Sequence, residues 1–149
     1  MTLNRVFFDT NVYIVGKQDI ESNEYQILKW AGFEVRNSRA VEVVIYDELL
    51  QEILRVSKRL KNKDWGGQIV NNIWRNFQII YVTIDADEYY RVEALGVIPR
   101  EDVGVYLTAK LGNAECFVSA NHELIRTLAE ETREFECLTP EEFVNKYLE

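Results

Sequence analysis

The stretch Arg5-Val6-Phe7-Phe8-Asp9-Thr10-Asn11 decides how the chain is read. Three large apolar residues, Val6, Phe7 and Phe8, run without alternation into a carboxylate. A strand without alternation is buried on both faces, as in the centre of a parallel sheet. Asp9 then stands at the strand's carboxyl end, and Thr10 and Asn11 are read as opening a loop. Ligands of open α/β sheets bind just beyond the carboxyl ends of strands. A charge at that spot needs a partner, because burying it alone is costly. A metal ion, an Arg or Lys, or backbone N–H groups would serve. The plainer role for Asp9 is a helix N-cap or turn residue, and this stretch by itself leaves both roles open.

Composition bounds the rest. The 149 residues suffice for a single core, so residues 1–149 are read as one domain. With 47% hydrophobic and 28% charged residues, the chain has the make-up of a soluble globular protein. No apolar run reaches the ~20 residues that span a bilayer. No basic, apolar and small-residue leader opens the chain. The expectation is therefore a cytoplasmic protein with no membrane partner. Cys116 and Cys137 lack C-x-x-C spacing and read as small apolar residues in a reducing compartment. The net charge of −8 argues against a broad, nonspecific nucleic-acid surface. It fits carboxylates clustered around a metal.

Strand and helix patterns alternate along the chain. Glu21 to Ala31 reads as a short helix closed by Gly32, followed by a short strand around Phe33-Glu34-Val35. Ala40 to Tyr46 is a β-branched strand. From Asp47 an apolar stripe (Leu49, Leu50, Ile53, Leu54, Val56) runs as a helix to Leu60, with Glu52 in its second turn. Lys58, Arg59, Lys61 and Lys63 form a basic cluster. It reads as a solvated helix end and as the best candidate for a phosphate-backbone contact. Trp65 to Phe77 is read as a helix with Ile69, Ile73, Trp74 and Phe77 on its core face. Gln78 to Val82 is a third strand, and Asp85 to Leu95 a helix ending at Gly96. A helix runs from the Ile98–Asp102 segment through Leu111 and is closed by Gly112. Cys116 to Ser119 is a fourth strand, Asn121 to Glu130 a helix, and Phe135 to Leu138 a fifth strand. Thr139-Pro140-Glu141-Glu142 is a capping box with proline at the first helical position, launching a helix to Leu148. The alternation predicts a three-layer α/β/α sandwich around a mostly parallel sheet of about five strands, joined by right-handed crossovers.

That layout predicts a convergence. In a parallel sheet the segments leaving each strand share one edge, so Asp9 and Asn121 meet there if strands one and four pair. The helix after strand two starts at that edge, and Glu52 reaches inward from it. The helix leading into strand four runs toward the opposite edge and so begins near this one, bringing Asp102. Each residue also has a plainer role. Asp102 with Glu101 complements a helix dipole, Glu52 lies on the surface, and Asn121 caps a helix. His122 is read as an exposed residue rather than a general base.

The blocks that carry these residues resemble the PIN-domain nucleases. They are Phe7-Phe8-Asp9-Thr10-Asn11, then Tyr46 to Ile53 with Glu52, then Glu101 to Ala109 with Asp102, and finally Cys116-Phe117-Val118-Ser119-Ala120-Asn121. They come in the family's order and cover nearly the whole chain. Two departures stand out: Tyr46 replaces the Ser or Thr that leads the second block, and Asn121 replaces the fourth acid. Glu123 is a substitute for that acid.

The resemblance implies a metal-dependent endoribonuclease that hydrolyses RNA phosphodiester bonds. It implies Asp9, Glu52 and Asp102 as the acidic core holding Mg²⁺ or Mn²⁺, with Asn121 beside them. Thr10, Asn11, Ser119 and Glu123 would support that core. Many family members are toxins of toxin–antitoxin pairs and form homodimers, which implies an antitoxin protein and a second copy as partners. The chemistry suits the residue types, since both ions are hard cations that prefer oxygen ligands. Without metal, three clustered carboxylates would repel one another and raise at least one pKa. Two alternatives stand beside this reading. The haloacid-dehalogenase-type phosphatases also begin with an apolar strand ending in Asp, but Asn11 stands where their second Asp would act as general acid. The other alternative is a catalytically inactive PIN-like module that binds a protein or RNA, which fits an acidic chain with Asn121 in fourth place.

Overall fold

Val6, Phe7 and Phe8 are shut off from solvent on both sides, and they form the middle of the sheet. The computed structural model describes residues 2–36 and 41–148. Strand β1 (Arg5–Phe8) is followed by β2 (Glu42–Tyr46), β3 (Gln78–Val82), β4 (Cys116–Val118) and β5 (Glu136–Leu138). Their order across the sheet is β3-β2-β1-β4-β5, and every pair is parallel. The register sets Phe7 opposite Phe117 and Val43 opposite Ile79. The helices are α1 (Thr10–Gln18), α2 (Asn23–Trp30), α3 (Asp47–Leu60), α4 (Lys63–Asn76), α5 (Ala86–Leu95), α6 (Val103–Leu111), α7 (His122–Glu131) and α8 (Pro140–Phe143). A 3₁₀ turn, Arg100–Asp102, leads into α6, and a π-helical turn, Val144–Leu148, continues α8.

The strand order fixes where a site can form. From β1 the chain steps outward to β2 and β3, then returns past β1 to β4 and steps outward to β5. With right-handed crossovers, α1 to α4 cover one face and α5 to α7 the other. The chain therefore leaves the ends of β1 and β4 in opposite directions and opens a crevice there, the switch point at which α/β sheets bind ligands.

The structure corrects several sequence expectations. Thr10 and Asn11 do not open a loop; they begin α1, capped by Asp9. No strand forms around Phe33-Glu34-Val35. Gly32 has a φ of 92°, and the Phe33 N–H donates to Leu28 O at 3.0 Å, which closes α2. The carbonyls of Phe33 and Glu34 both accept from the Asn76 amide, at 2.6 and 3.1 Å. Ala40, read as the first residue of strand two, lies outside the described residues. Trp74 is not in the core. It is 51% exposed and stacks on Tyr81 of the edge strand β3, with ring centroids 5.9 Å apart and planes at 23°. Its neighbours Ile69 and Ile73 are buried, whereas Trp74 overhangs the sheet edge. Gly112 does not close α6 through a left-handed conformation, since its φ is −79°. It is needed for space, because a Cβ there would lie 2.5 Å from Val44 Cγ1. Among the described residues no helix is long and apolar enough to cross a membrane.

Candidate active site

Asp9 holds its position through both neighbouring strands. Its N–H donates to Val118 O at 2.9 Å, extending the β1–β4 pairing by one residue. Its Oδ1 accepts from the Thr10 N–H at 2.9 Å, which is the N-cap bond of α1. Its Oδ2 accepts from the Ser119 hydroxyl at 2.8 Å and from the Asn11 amide at 3.4 Å. Asn11 also donates to Ser119 Oγ at 3.1 Å and accepts from the Ala120 N–H at 2.9 Å. Ser119 Oγ accepts a further bond from the Asn121 N–H at 3.1 Å, so its hydrogen-bonding capacity is full. Asn11 and Ser119 thus pin the carboxylate across the β1–β4 gap, with Oδ2 occupied and Oδ1 turned to the helix end. Burial drives the Asp9 pKa above its ordinary value, against the opposing pull of Ser119, Thr10 and Asn11. Of the two roles read for Asp9, the helix cap is filled, and the residue also lines a cleft.

That cleft has a volume of about 450 Å³. Asp9, Glu52, Glu101, Asp102 and Asn121 form its polar side, and Ile14, Val15, Val56, Val105 and Leu124 its apolar side. Glu52 is half-buried in the second turn of α3. Asp102 ends the 3₁₀ turn ahead of α6. Burial raises its pKa, and the charges of Glu101, Asp9 and Glu123 add to the rise. Glu123 is exposed in the first turn of α7; it acts on Asp102 by charge and does not line the cleft. Asn121 lines the cleft and caps α7, its Oδ1 accepting from the Leu124 N–H at 3.2 Å. His122 is the exposed first residue of α7. None of Lys58, Arg59, Lys61 or Lys63 lines the cleft.

Two observations bear on a metal. Among the described residues, no three His, Cys, Asp or Glu side chains are arranged to hold an ion as they stand. The donor set nonetheless fits a hard cation, since every polar group on the cleft wall is an oxygen or amide ligand. The Thr10 hydroxyl adds to this fit. It is buried, lines the cleft, and has no hydrogen-bond partner. A buried hydroxyl left unpaired is costly, and a bound ion or its water would satisfy it.

Sequence reasoning missed two residues. Glu101 lines the cleft directly, although beside Asp102 it reads only as complementing a helix dipole. Tyr46, the residue that departs from the family's second block, caps α3 without any side-chain bond. Its buried hydroxyl lies 3.3 Å from where a Cβ on Gly104 would sit. Burial raises its pKa, helped by the charges of Glu48, Asp9 and Glu52.

The fold has a solved counterpart. It is a chain in the crystal structure of VapBC2 from Rickettsia felis bound to a DNA fragment from their promoter. The match has a TM-score of 0.60 at 15% identity and covers 91% of this chain and 98% of the other. At that identity the likeness is one of fold. No protein-family model matches the chain. No curated protein sequence matches it either.

Proposed function

We propose that the chain is a divalent-metal-dependent endoribonuclease of the PIN type, acting on RNA in the cytoplasm. One observation carries the reading. Asp9, Glu52 and Asp102, from three separate segments, line a single cleft at the switch point between β1 and β4. Asp9 is the fixed member, held by Ser119 and Asn11. Glu52, on α3, and Asp102, at the end of the 3₁₀ turn, would complete the set of carboxylates that holds the ion. When bound, Mg²⁺ or Mn²⁺ supplies a Lewis acid for the phosphodiester and lowers the pKa of a water. Thr10 lines the cleft with a buried hydroxyl that has no partner among the described residues, and Ile14, Val56 and Leu124 give the wall its apolar part. Asn121 in place of an acid leaves one charge fewer facing the phosphate. The fold likeness to a VapBC2 chain supports a protein partner of antitoxin type; a homodimer joins the proposal on the family resemblance of the sequence blocks alone.

A second reading is favoured by the absence of three pre-set carboxylates among the described residues and by Asn121 being engaged as a cap. It makes the chain an inactive PIN-like module that binds RNA or a protein. A Mn²⁺ titration by calorimetry, paired with cleavage of a labelled RNA, separates the two. The nuclease reading expects Mn²⁺ binding and cleavage in wild type and neither in Asp9→Asn, with the fold intact by circular dichroism. Wild type that takes up no Mn²⁺ and cuts no RNA rejects it.

A further inference from the structure

A second cleft, of about 350 Å³, opens at the same carboxyl edge of the sheet, beyond β2 and β3. Four tyrosines line it: Tyr46 at the end of β2, Tyr81 in β3, and Tyr89 and Tyr90 in α5. Tyr46 lies against α6, its hydroxyl 3.3 Å from where a Cβ on Gly104, two residues after Asp102, would sit. Tyr81 and Tyr90 are 47% and 64% exposed. Trp74 stacks on Tyr81, so the two rings form one half-exposed aromatic pair at the sheet's outer edge, and Tyr89 meets Tyr90 edge to face with centroids 5.9 Å apart. No Lys or Arg lines this cleft, but Asp47 and Glu48 do.

That combination selects a ligand. The carboxylates repel phosphate, and the rings accept a flat group against their faces. Carboxylate oxygens accept hydrogen bonds from an amino group on a base edge. We propose that this cleft takes an unpaired nucleobase of the RNA strand whose backbone crosses the acid cleft, favouring bases with an exocyclic amino group over uracil. The path of the strand rests on the nuclease reading above. An arginine side chain of a partner protein would also suit rings and carboxylates. The extent of ring surface favours RNA, because the half-exposed Trp74–Tyr81 pair and Tyr90 together present more of it than one guanidinium needs, as single-strand binders do for bases.

The test is binding of short labelled oligo(A), oligo(C) and oligo(U) to the full chain, followed by fluorescence anisotropy in Ca²⁺. Oligo(A) and oligo(C) are expected to bind more tightly than oligo(U). Tyr81→Ala and Tyr90→Ala are each expected to weaken binding about tenfold or more, the usual loss for a stacked base. The matching Phe variants keep the ring face and are expected to keep the affinity. Both side chains are well exposed, and thermal melts verify that the Ala variants fold. Equal binding by wild type and both Ala variants overturns the subsite, as does wild type that binds no oligonucleotide. So does an arginine-rich peptide that loses affinity in these variants while RNA binding stays unchanged. Cleavage is scored separately. Tyrosine-dependent binding without Mn²⁺-dependent cleavage keeps the subsite and removes the nuclease; cleavage without tyrosine dependence does the reverse.

Discussion

Asp9 caps α1 with one carboxylate oxygen and takes Ser119 and Asn11 with the other, so replacing it by Asn removes its charge and turns one of those acceptors into a donor. Its folded pKa lies above the ordinary 3.8, chiefly because it is buried. The folded state thus holds the proton more tightly than the unfolded state. Stability from the neutral form is present below 3.8 and is lost as pH rises through the folded value. In EDTA, the melting temperature of wild type should therefore fall relative to that of Asp9→Asn as pH rises from 3.8 toward neutral. Mn²⁺ should raise the melting temperature of wild type alone, because only the native carboxylate binds it. Ser119→Ala frees Oδ2 and leaves the Asn11 amide a bond short. Losing such a supporting bond lowers metal affinity or cleavage about 10- to 100-fold, readable as a shifted Mn²⁺ titration midpoint. Asp9 was legible in the sequence because an unalternating apolar run ended on a charge. Tyr46 was not, because an aromatic residue ending a β-branched strand reads as core.

At the scale of elements, the sequence pattern succeeded where one side of a helix meets water and failed where neither does. Helix α3 shows a clear stripe, with Leu49, Leu50 and Ile53 buried and Gln51, Leu54 and Arg55 exposed. Helix α1 buries Thr10, Val12, Tyr13, Ile14 and Gly16, so its sequence has no polar face to give it a 3.6-residue period. Gly16 marks the reason. A Cβ there would lie 2.5 Å from Leu28 Cδ1, so α1 is pressed against α2 as well as the sheet. Helix α4 offers a sharper test, with adjacent glycines in opposite settings. A Cβ on Gly66 would lie 2.7 Å from Ser57 Cβ, whereas one on Gly67 would meet nothing within 4 Å. Gly66→Ala should destabilise by about 1–3 kcal/mol through overpacking of α3 on α4. Gly67→Ala should stabilise by about 1 kcal/mol through helix propensity. Urea melts of the two variants should move in opposite directions; a shared direction would contradict this packing.

For the whole molecule, the alternation of strands and helices made a parallel sheet legible, but not its order. The convergence of Asp9 with Asn121 hung on β1 pairing β4, and that pairing depends on the three buried residues Cys116, Phe117 and Val118. Charge at this scale leads to the last prediction. The chain carries −8, and acids line both clefts without a single Lys or Arg. Lys61 stands nine residues beyond Glu52, roughly 14 Å along the helix direction, past a physiological screening length of about 8 Å. RNA held by a divalent ion and by stacking displaces few monovalent counterions, whereas each phosphate neutralised on a single strand adds about 0.7 to the slope of log K against log salt. At fixed Mn²⁺, the slope of log KM for a short oligonucleotide should therefore stay below about 2 in magnitude. Lys61→Gln with Lys63→Gln should leave it unchanged, whereas loss of two real phosphate contacts would lower it by about 1.4. A steep slope that collapses in the double variant would mean that the basic cluster, and not the acid and tyrosine clefts, holds the substrate.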